Sequence, residues 1–521
     1  MMIERMPGAV KTDRVAIARA LREIGRRLAQ SGGDARYRAR AYERAARSLE
    51  RLPEDLGRVI AEGRLQQVPA IGPALAGVIT ELYETGRSER LETLRGEQPG
   101  ELPAPAATKR RGPLLFAHAD EEAEALIAFA QSWPATRAMR AAGLRRATET
   151  VDSIEILAAS RDRAGLAEHL ASYPPLQSAL KTKEGVAGEL ADGTSVQIRI
   201  TTPREEPLAL VRHTGSPAHL ARLETLAKGR GLSLTTRALG TPKTEAEVYG
   251  ALGLPFIPPE LREDAGEIEA AQQDRLPPRL IEETDVIGAV HCHTVASDGR
   301  HTLLQMARAA EARGFRYLTV TDHSPLAHYA HGLSVDRLKA QWDEIAQVQE
   351  QVGIRLLRGS ECDITRDGGL DWPDDVIAEM DVLIVSIHQR FKLDSAAMTA
   401  RVRRAIEHPA FKIWGHPFGR LVGRRPPIDI DFAAVLDTLA EARAAVEING
   451  DPHRLDMEPA LVRRAHARGL RFVVSTDAHA TGELGYVRYG TLMARRGWLA
   501  AEDVLNTLPA DEFRRAVRPF D

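Results

Sequence analysis

The stretch Val286-Ile-Gly-Ala-Val-His-Cys-His293 decides the fold of the C-terminal half, because a short apolar run ends there in two imidazoles. The arrangement recurs in YLTVTDH (317–323), RLLRGSE (355–361), VLIVSIH (382–388), FKIWGH (411–416) and FVVSTDAH (472–479), while AVEING (445–450) is a seventh run without a metal ligand. Apolar runs of this length alternating with helical segments predict parallel βα units. Residues at the C-terminal ends of such strands converge at one mouth of a barrel. Fold and site therefore imply each other.

The ligand types occur in the order His291, His293, Asp298, His323, Glu361, His388, His416, Asp477 and His479. A single histidine after an apolar run is ordinarily a hydrogen-bonded structural residue. Here twelve of the sixteen histidines lie between His291 and His479, and they fall at successive strand ends. The pattern predicts a multinuclear metal hydrolase site. Mixed imidazole and carboxylate donors suit Mn2+, Zn2+ or Fe2+ better than Mg2+. Paired cations clamp the attacking and leaving oxygens of an in-line phosphoryl displacement, so phosphate ester hydrolysis is the natural reaction. Lys392, Arg420 and Arg424 follow ligand-bearing strands, where a cation would neutralise a substrate phosphate. Asp322 would either orient the neighbouring His323 ring or cap the strand end.

At 521 residues the chain is long enough for about three domains. Its formal net charge is only -3, which gives no global footprint for nucleic acid. The charge is uneven: Met1 to Arg51 carries thirteen Lys/Arg against six Asp/Glu, a local net of +7. Such an arm either meets phosphate or forms a solvated helical face. Cys292 and Cys362 each flank a ligand on a strand, where alternation turns them to the opposite face, so both are expected as reduced core residues and not zinc thiolates. No apolar stretch is long enough to span a bilayer and no signal-peptide apolar region is present, so a cytoplasmic protein with no membrane partner is expected. A monomer is compatible with the sequence, which does not set the oligomeric state.

Residues 1–97 read as helices with apolar positions three or four apart. Within them VPAIGPALAGVI (68–79) predicts a helix-hairpin-helix, whose turn at Ile71, Gly72 and Ala74 would present main-chain N–H groups to a DNA phosphate. Residues 98–113 are a Pro/Ala/Gly-rich linker, 114–265 an α+β domain, 266–284 an acidic then Pro-rich linker, and 285–521 the barrel.

With these pieces in order, the chain resembles bacterial family X DNA polymerases that carry a C-terminal polymerase-and-histidinol-phosphatase (PHP) domain. The resemblance rests on RARAYERAARSLERLP (38–53), AGLRRATETV (142–151), HTGSPAH (213–219), PPELREDAGEIEAA (258–271), HCHTVASDG (291–299), TVTDHS (319–324), GHPFGRLVGRR (415–425), STDAH (475–479), RYGTLMARRGWL (488–499) and DVLNTLP (503–509). It implies a multidomain α+β and α/β protein with an N-terminal helix-hairpin-helix domain, a nucleotidyltransferase palm/thumb-like domain and a distorted (β/α)7 PHP barrel. It also implies up to three metal ions: His291, His293, Glu361 and Asp477 at one, Glu361, His388 and His416 at a second, and Asp298, His323 and His479 at a third.

The departures from the family pattern concern the palm. Where active relatives place two metal-binding carboxylates and then a third, this chain has Ser153, Glu155 and Gln197. Nucleotidyl transfer needs two Mg2+ ions held across the reacting phosphate, so polymerase activity is expected to be lost. Asp152 falls one position early, which on a strand turns it to the other face. The triphosphate-gripping Gly-Ser is Ala142-Gly143, the aromatic pair before TGS is Arg212-His213, Leu220 stands where relatives place a polar base contact, and Val78 stands where a lyase lysine would be. The leading expectation is a metal-dependent 3'-5' exonuclease or DNA 3'-end processing enzyme whose partner is DNA, single-stranded or at 3' ends. The alternatives are a small-molecule phosphoesterase of the histidinol-phosphatase type and a nonenzymatic DNA-end binding protein.

Overall fold

In the computed structural model the residues described are 12, 14–30, 35–50, 52, 56–68, 70–97 and 112–520, so nearly all of the expected linker 98–113 lies outside them. The chain forms two compact units. One comprises Met1–Arg111, Glu122–Met139 and Ala158–Thr202, and the other Gly112–Glu121, Arg140–Leu157 and Pro203–Asp521. Among the described residues no helix is long and apolar enough to cross a membrane.

In the first unit the helices Arg14–Gln30, Ala35–Glu50, Leu56–Ala61 and Pro73–Thr85 bury one stripe each, with Ile17, Leu21, Leu49, Val59, Ile79 and Leu82 forming a common core. The predicted hairpin sits on this core. Ile71 is buried and anchors the turn, while Gly72 and Ala74 are exposed at the start of Pro73–Thr85. Gly72 is extended and Pro73 occupies the first helical turn, where a missing N–H costs nothing. Gly86 ends the helix in the left-handed conformation that glycine adopts without strain. The same unit holds three antiparallel strands, Leu176–Lys181, Gly185–Leu190 and Ser195–Thr201.

In the second unit, helices Glu206–Thr214, Pro217–Gly229 and Glu245–Ala251 pack through Leu208, Val211, Leu223, Val248 and Tyr249. Fully buried Arg262 is compensated by Glu245 at 2.7 Å, as a desolvated guanidinium requires. The chain then enters the barrel. Its strands are β1 (Gly288–Cys292), β2 (Tyr317–Val320), β3 (Arg355–Asp363), β4 (Val382–Ser386), β5 (Ile413–Trp414), β6 (Ala445–Asn449) and β7 (Phe472–Ser475). These are the seven runs read from the sequence. Each pairs in parallel with its sequence neighbour, and a helix follows every strand, from Leu303–Ala312 after β1 to Val487–Arg496 after β7. Side-chain caps at Thr302, Ser334, Asp394 and Asp431 start four of these helices.

The two edge strands, β1 and β7, are joined by other means. Toward their C-terminal ends the main chain bridges them, with His293 N–H donating to Ala478 O at 2.9 Å and Ala478 N–H to His291 O at 3.1 Å. Lower down, fully buried Asn506 from DVLNTLP donates through Nδ2 to Gly288 O (2.9 Å) and Val474 O (2.7 Å) and accepts from Val474 N–H (3.0 Å). One amide thus substitutes for the missing ladder. Asn506→Ala would strand these buried main-chain groups at about 1–3 kcal/mol for each one left unsatisfied. The thermal transition of the barrel, followed by near-UV circular dichroism, should fall by several degrees, and an unchanged transition would remove Asn506 from this role.

Candidate metal centre

All nine predicted ligands meet above the C-terminal ends of β1, β2, β3, β4, β5 and β7, and the centre of the group is the fully buried Glu361. Its Oε1 faces His416 Nε2 at 2.7 Å and His388 Nε2 at 3.2 Å. Its Oε2 faces His323 Nδ1 at 3.1 Å, His291 Nε2 at 3.3 Å and His293 Nε2 at 3.6 Å. Asp477 Oδ1 lies 3.5 Å from His293 and 3.7 Å from His291. Asp298 Oδ1 gathers His479 at 3.3 Å, His323 at 3.7 Å and His293 at 3.8 Å. Four overlapping groups could each hold an ion: His293/Asp298/His323/His479, His291/Glu361/His416, His291/His293/Asp477 and His323/Glu361/His388. The groups share residues, and His293 joins the Asp298 group, for which the resemblance implies only His323 and His479.

The backbone is bent to achieve this. His291, His416 and Asp477 have φ of 62°, 21° and 49°, a region that costs a non-glycine residue on the order of 1–2 kcal/mol. At His291 the β1–β2 register shifts between Ala289 and Cys292, and Thr319 and Thr321 hydroxyls accept the N–H groups of His291 and Cys292. Strain of this kind, held by its surroundings at ligand positions, is a property of functional sites. Cys292 and Cys362 are buried and unpaired in any disulfide, and burial pushes the Cys292 thiol up to about 12, as expected of core residues.

A donor set fits metal when its nitrogens have no other partner. His291 Nε2, His323 Nδ1 and both ring nitrogens of His293 are buried without a hydrogen-bond partner, and leaving such groups unmade is expensive. Divalent ions at these atoms would complete them and would supply positive charge to phosphoryl oxygens. Burial alone would raise the Glu361 carboxyl, but His388, His291, His323 and His416 outweigh it and hold it well below the usual carboxylate range. Burial likewise opposes the charged form of His388 and His479, yet Glu361 and Asp363 lift the former to about 10, and Asp298 with Asp477 lifts the latter to about 9. Burial dominates at His323, whose ring drops to about 3.

Several supporting groups escaped the sequence reading. Glu447 in AVEING, the run expected to lack a ligand, is fully buried; it accepts from His291 Nδ1 at 2.6 Å and from the His416 main-chain N–H. A carboxylate in the middle of a buried strand was the available signal. Asp363 lies 3.1 Å from His388 Nδ1, on the same face of β3 as Glu361 two residues earlier. Asp477 Oδ2 is held by Asn449 Nδ2 and Arg454 Nε, each at 3.2 Å, which leaves Oδ1 to the histidines.

The expectation for Arg420 is corrected. Arg420, expected at a substrate phosphate, is buried and pairs with Glu149 at 2.7 Å, with Glu458 at 2.8 Å and with the carbonyls of Arg454 and Leu455. A guanidinium whose three nitrogens are so engaged has no fork left for phosphate. Lys392 and Arg424 are exposed in the loops after β4 and β5. Arg425 lies over the Phe391 ring at 4.2 Å and donates to Gly419 O at 2.7 Å. Of the two roles weighed for Asp322 the structure supports the cap: it accepts from Thr294 N–H and Oγ1, both at 2.8 Å, and from Gln341 Nε2 at 2.6 Å, so it braces the loop that carries Asp298.

Residues 13–88 match the helix-hairpin-helix domain, 209–263 the DNA polymerase beta thumb and 289–450 the PHP domain. Over 379 residues, 70% of this chain, it is 36% identical to the DNA polymerase/3'-5' exonuclease PolX of Bacillus subtilis (strain 168). The chain belongs to the PolX family. The match spans 66% of the Bacillus subtilis protein's length. A probable phosphatase of Thermoanaerobacter sp. (strain X514) is 26% identical over 229 residues, 42% of this chain and 89% of its own. A probable phosphatase of Shewanella sp. (strain MR-4) is 27% identical over 209 residues, 37% of this chain and 77% of its own.

The residues expected to replace palm carboxylates, and the residue at the expected lyase position, lie as follows. Asp152 is exposed ahead of the strand Ser153–Ala159, where Ser153 Oγ donates to Glu155 Oε1 at 3.2 Å. Gln197 Oε1 accepts from Arg199 at 3.4 Å, and Val78 is half-buried on Pro73–Thr85.

Two outcomes follow from the metal centre. Glu447→Gln removes a supporting charge without removing a ligand and should weaken Mn2+ binding by about 10–100-fold in equilibrium titration; unchanged affinity would make Glu447 a packing residue. Metal uptake requires neutral imidazoles, so it must displace protons from His388 and His479, and affinity should rise with pH up to about 9–10. The sign for the metal-free chain is opposite. Raised folded-state values contribute stability that is full below about 6.5 and is lost as pH climbs through about 9 and 10. His323, depressed to about 3, removes stability as pH falls below its ordinary value. The rise in melting temperature on adding Mn2+ should therefore be larger at about pH 8.5 than at about pH 6.5.

Proposed function

We propose that this chain is a metal-dependent phosphodiesterase that processes DNA 3' ends as a 3'-5' exonuclease, with polymerase and lyase chemistry lost. The observation that carries the reading is the convergence of nine ligand-type side chains, Asp298, Glu361 and Asp477 with six histidines, around one buried carboxylate in a PHP barrel. It is supported by a relative whose printed name includes a 3'-5' exonuclease. His291, His293, Glu361 and Asp477 form the catalytic core, and with Asp298, His323, His388, His416 and His479 they bind up to three ions, Mn2+, Zn2+ or Fe2+. Residues 1–97 hold DNA through the turn at Ile71, Gly72 and Ala74, and 285–521 cut it. In the palm-like segment 114–265, Ser153, Glu155 and Gln197 do not supply the carboxylates that two Mg2+ ions need.

A second reading has its own support. The probable phosphatases match over a length close to that of the barrel alone, which favours a small phosphomonoester as substrate. The two are separated by incubating 5'-labelled single-stranded and primed DNA with Mn2+, the wild type and His291→Ala, beside histidinol phosphate and a nucleotide-extension control. Stepwise shortening that disappears in the variant, with no extension, is expected. Intact DNA together with phosphate release from the small ester would replace this reading with the second, and extension of the primer would overturn the loss of polymerase activity. DNA affinity should fall steeply with salt if the basic helices contribute.

A further inference from the structure

Most of the apolar surface around the metal centre is covered, and two side chains are not. Tyr329 is 63% exposed and Val295 55% exposed, although both lie in loops that leave ligand-bearing strands. Tyr329 follows β2 and its ligand His323; Val295 lies between ligands His293 and Asp298. The Tyr329 ring centroid is 6.1 Å from that of His388 and 6.2 Å from that of His323, so the aromatic surface begins within a side chain's width of two ligands.

An exposed tyrosine on a loose loop would carry little meaning, but this turn is tightly held. Ala327 N–H donates to Ser324 O (3.1 Å), Ala330 N–H and Gly332 N–H to Ala327 O (2.9 and 3.1 Å), and Leu333 N–H to His323 O (2.8 Å). Leu326 N–H donates to Asp371 at 2.7 Å, and Gln389 Nε2 to Leu326 O at 3.1 Å. His331 takes a left-handed φ of 56°, and a Cβ on Gly332 would sit 2.0 Å from Ser324 O, so the chain is folded too closely for another residue there. Arg337 binds the two loops together, donating to His331 O (2.9 Å) and Gly332 O (3.1 Å) and to the carbonyl of Ala296 beside Val295. The result is a rigid aromatic face at the rim, and among the described residues the Tyr329 hydroxyl has no hydrogen bond that would explain its position.

We propose that Tyr329 stacks on the base of the nucleotide whose phosphate is being hydrolysed, and so selects nucleoside esters over simple alkyl phosphates. This rests on the reading of the chain as a DNA 3'-end phosphodiesterase. A phosphate held at the His/carboxylate cluster turns its ester substituents toward the mouth. A base joined to it through one sugar then reaches the rim. Stacking on an aromatic ring needs only a π-face, so it tolerates all four bases, as an exonuclease requires. Val295 gives the base a second apolar edge. A preformed platform also avoids the ordering cost that a mobile loop would add to binding.

The test uses the full-length chain with Mn2+ and two 5'-labelled single-stranded oligonucleotides, identical except that one ends in a 3'-terminal nucleotide lacking its base. Tyr329→Ala should lower kcat/KM on the ordinary oligonucleotide by roughly 5- to 150-fold, the range base–aromatic stacking spans, chiefly through KM. Removing the terminal base should cost the wild type a similar factor, and the two losses should not add, because both delete the same contact. Tyr329→Phe keeps the ring and should stay near wild type. Equal rates for wild type and Tyr329→Ala would overturn the proposal, as would additive losses. A Tyr329→Phe defect as large as that of alanine would overturn it too, by pointing to the hydroxyl. A wild type inert on both oligonucleotides would bring down the exonuclease reading and this inference together, whereas active wild type with an unaffected variant would sink only the inference.

Discussion

A carboxylate with no access to water can remain charged only if cations or hydrogen-bond donors meet it, and Glu361 sets that condition for the whole C-terminal half. Both its oxygens are committed, one to His388 and His416 and the other to His291, His293 and His323. The imidazoles must therefore arrive from four different strand ends and stop within about a hydrogen bond's length of the carboxylate. Only a closed arrangement of parallel strands brings so many chain segments to one point while leaving helices outside to cover them. Asp298 and Asp477 extend the same requirement outward; Glu447 and Asp363 orient His291 and His388, which face Glu361, while Asn449 and Arg454 orient Asp477.

Such a concentration of desolvated donors is costly for folding. Part of the cost is backbone strain at His291, His416 and Asp477, and part is the set of imidazole nitrogens left without hydrogen bonds. The rest of the barrel is correspondingly regular: β2, β4, β6 and β7 are buried along their whole length, and the C-terminal helix Ala510–Val517 seats Phe513 against Tyr317 at a ring distance of 5.2 Å. Stability is supplied at one end of the strands and spent at the other, the usual division in barrels of this kind.

The second unit holds a further charge group: Glu245 pairs with Arg145 at 2.5 Å and with Arg262 at 2.7 Å. A fold survives on its packing, while a site depends on a few oxygens at set positions.

The seven strands, their parallel order and the convergence of nine ligand-type side chains at one mouth were legible in the sequence alone, because the period of apolar residues and the chemistry at each strand end are local properties. Reduced, buried Cys292 and Cys362 followed from the same alternation. What only the tertiary structure decided were relations between residues far apart in the chain. Glu447 looked like an interruption in an apolar run and became the partner of His291; Arg420 looked like a phosphate ligand and spent its donors on Glu149 and Glu458; Asn506 carried no signal and joins β1 to β7. Local pattern reports which face a side chain takes, but hydrogen-bond partners are set by the folding of distant segments onto one another, and no spacing rule contains them.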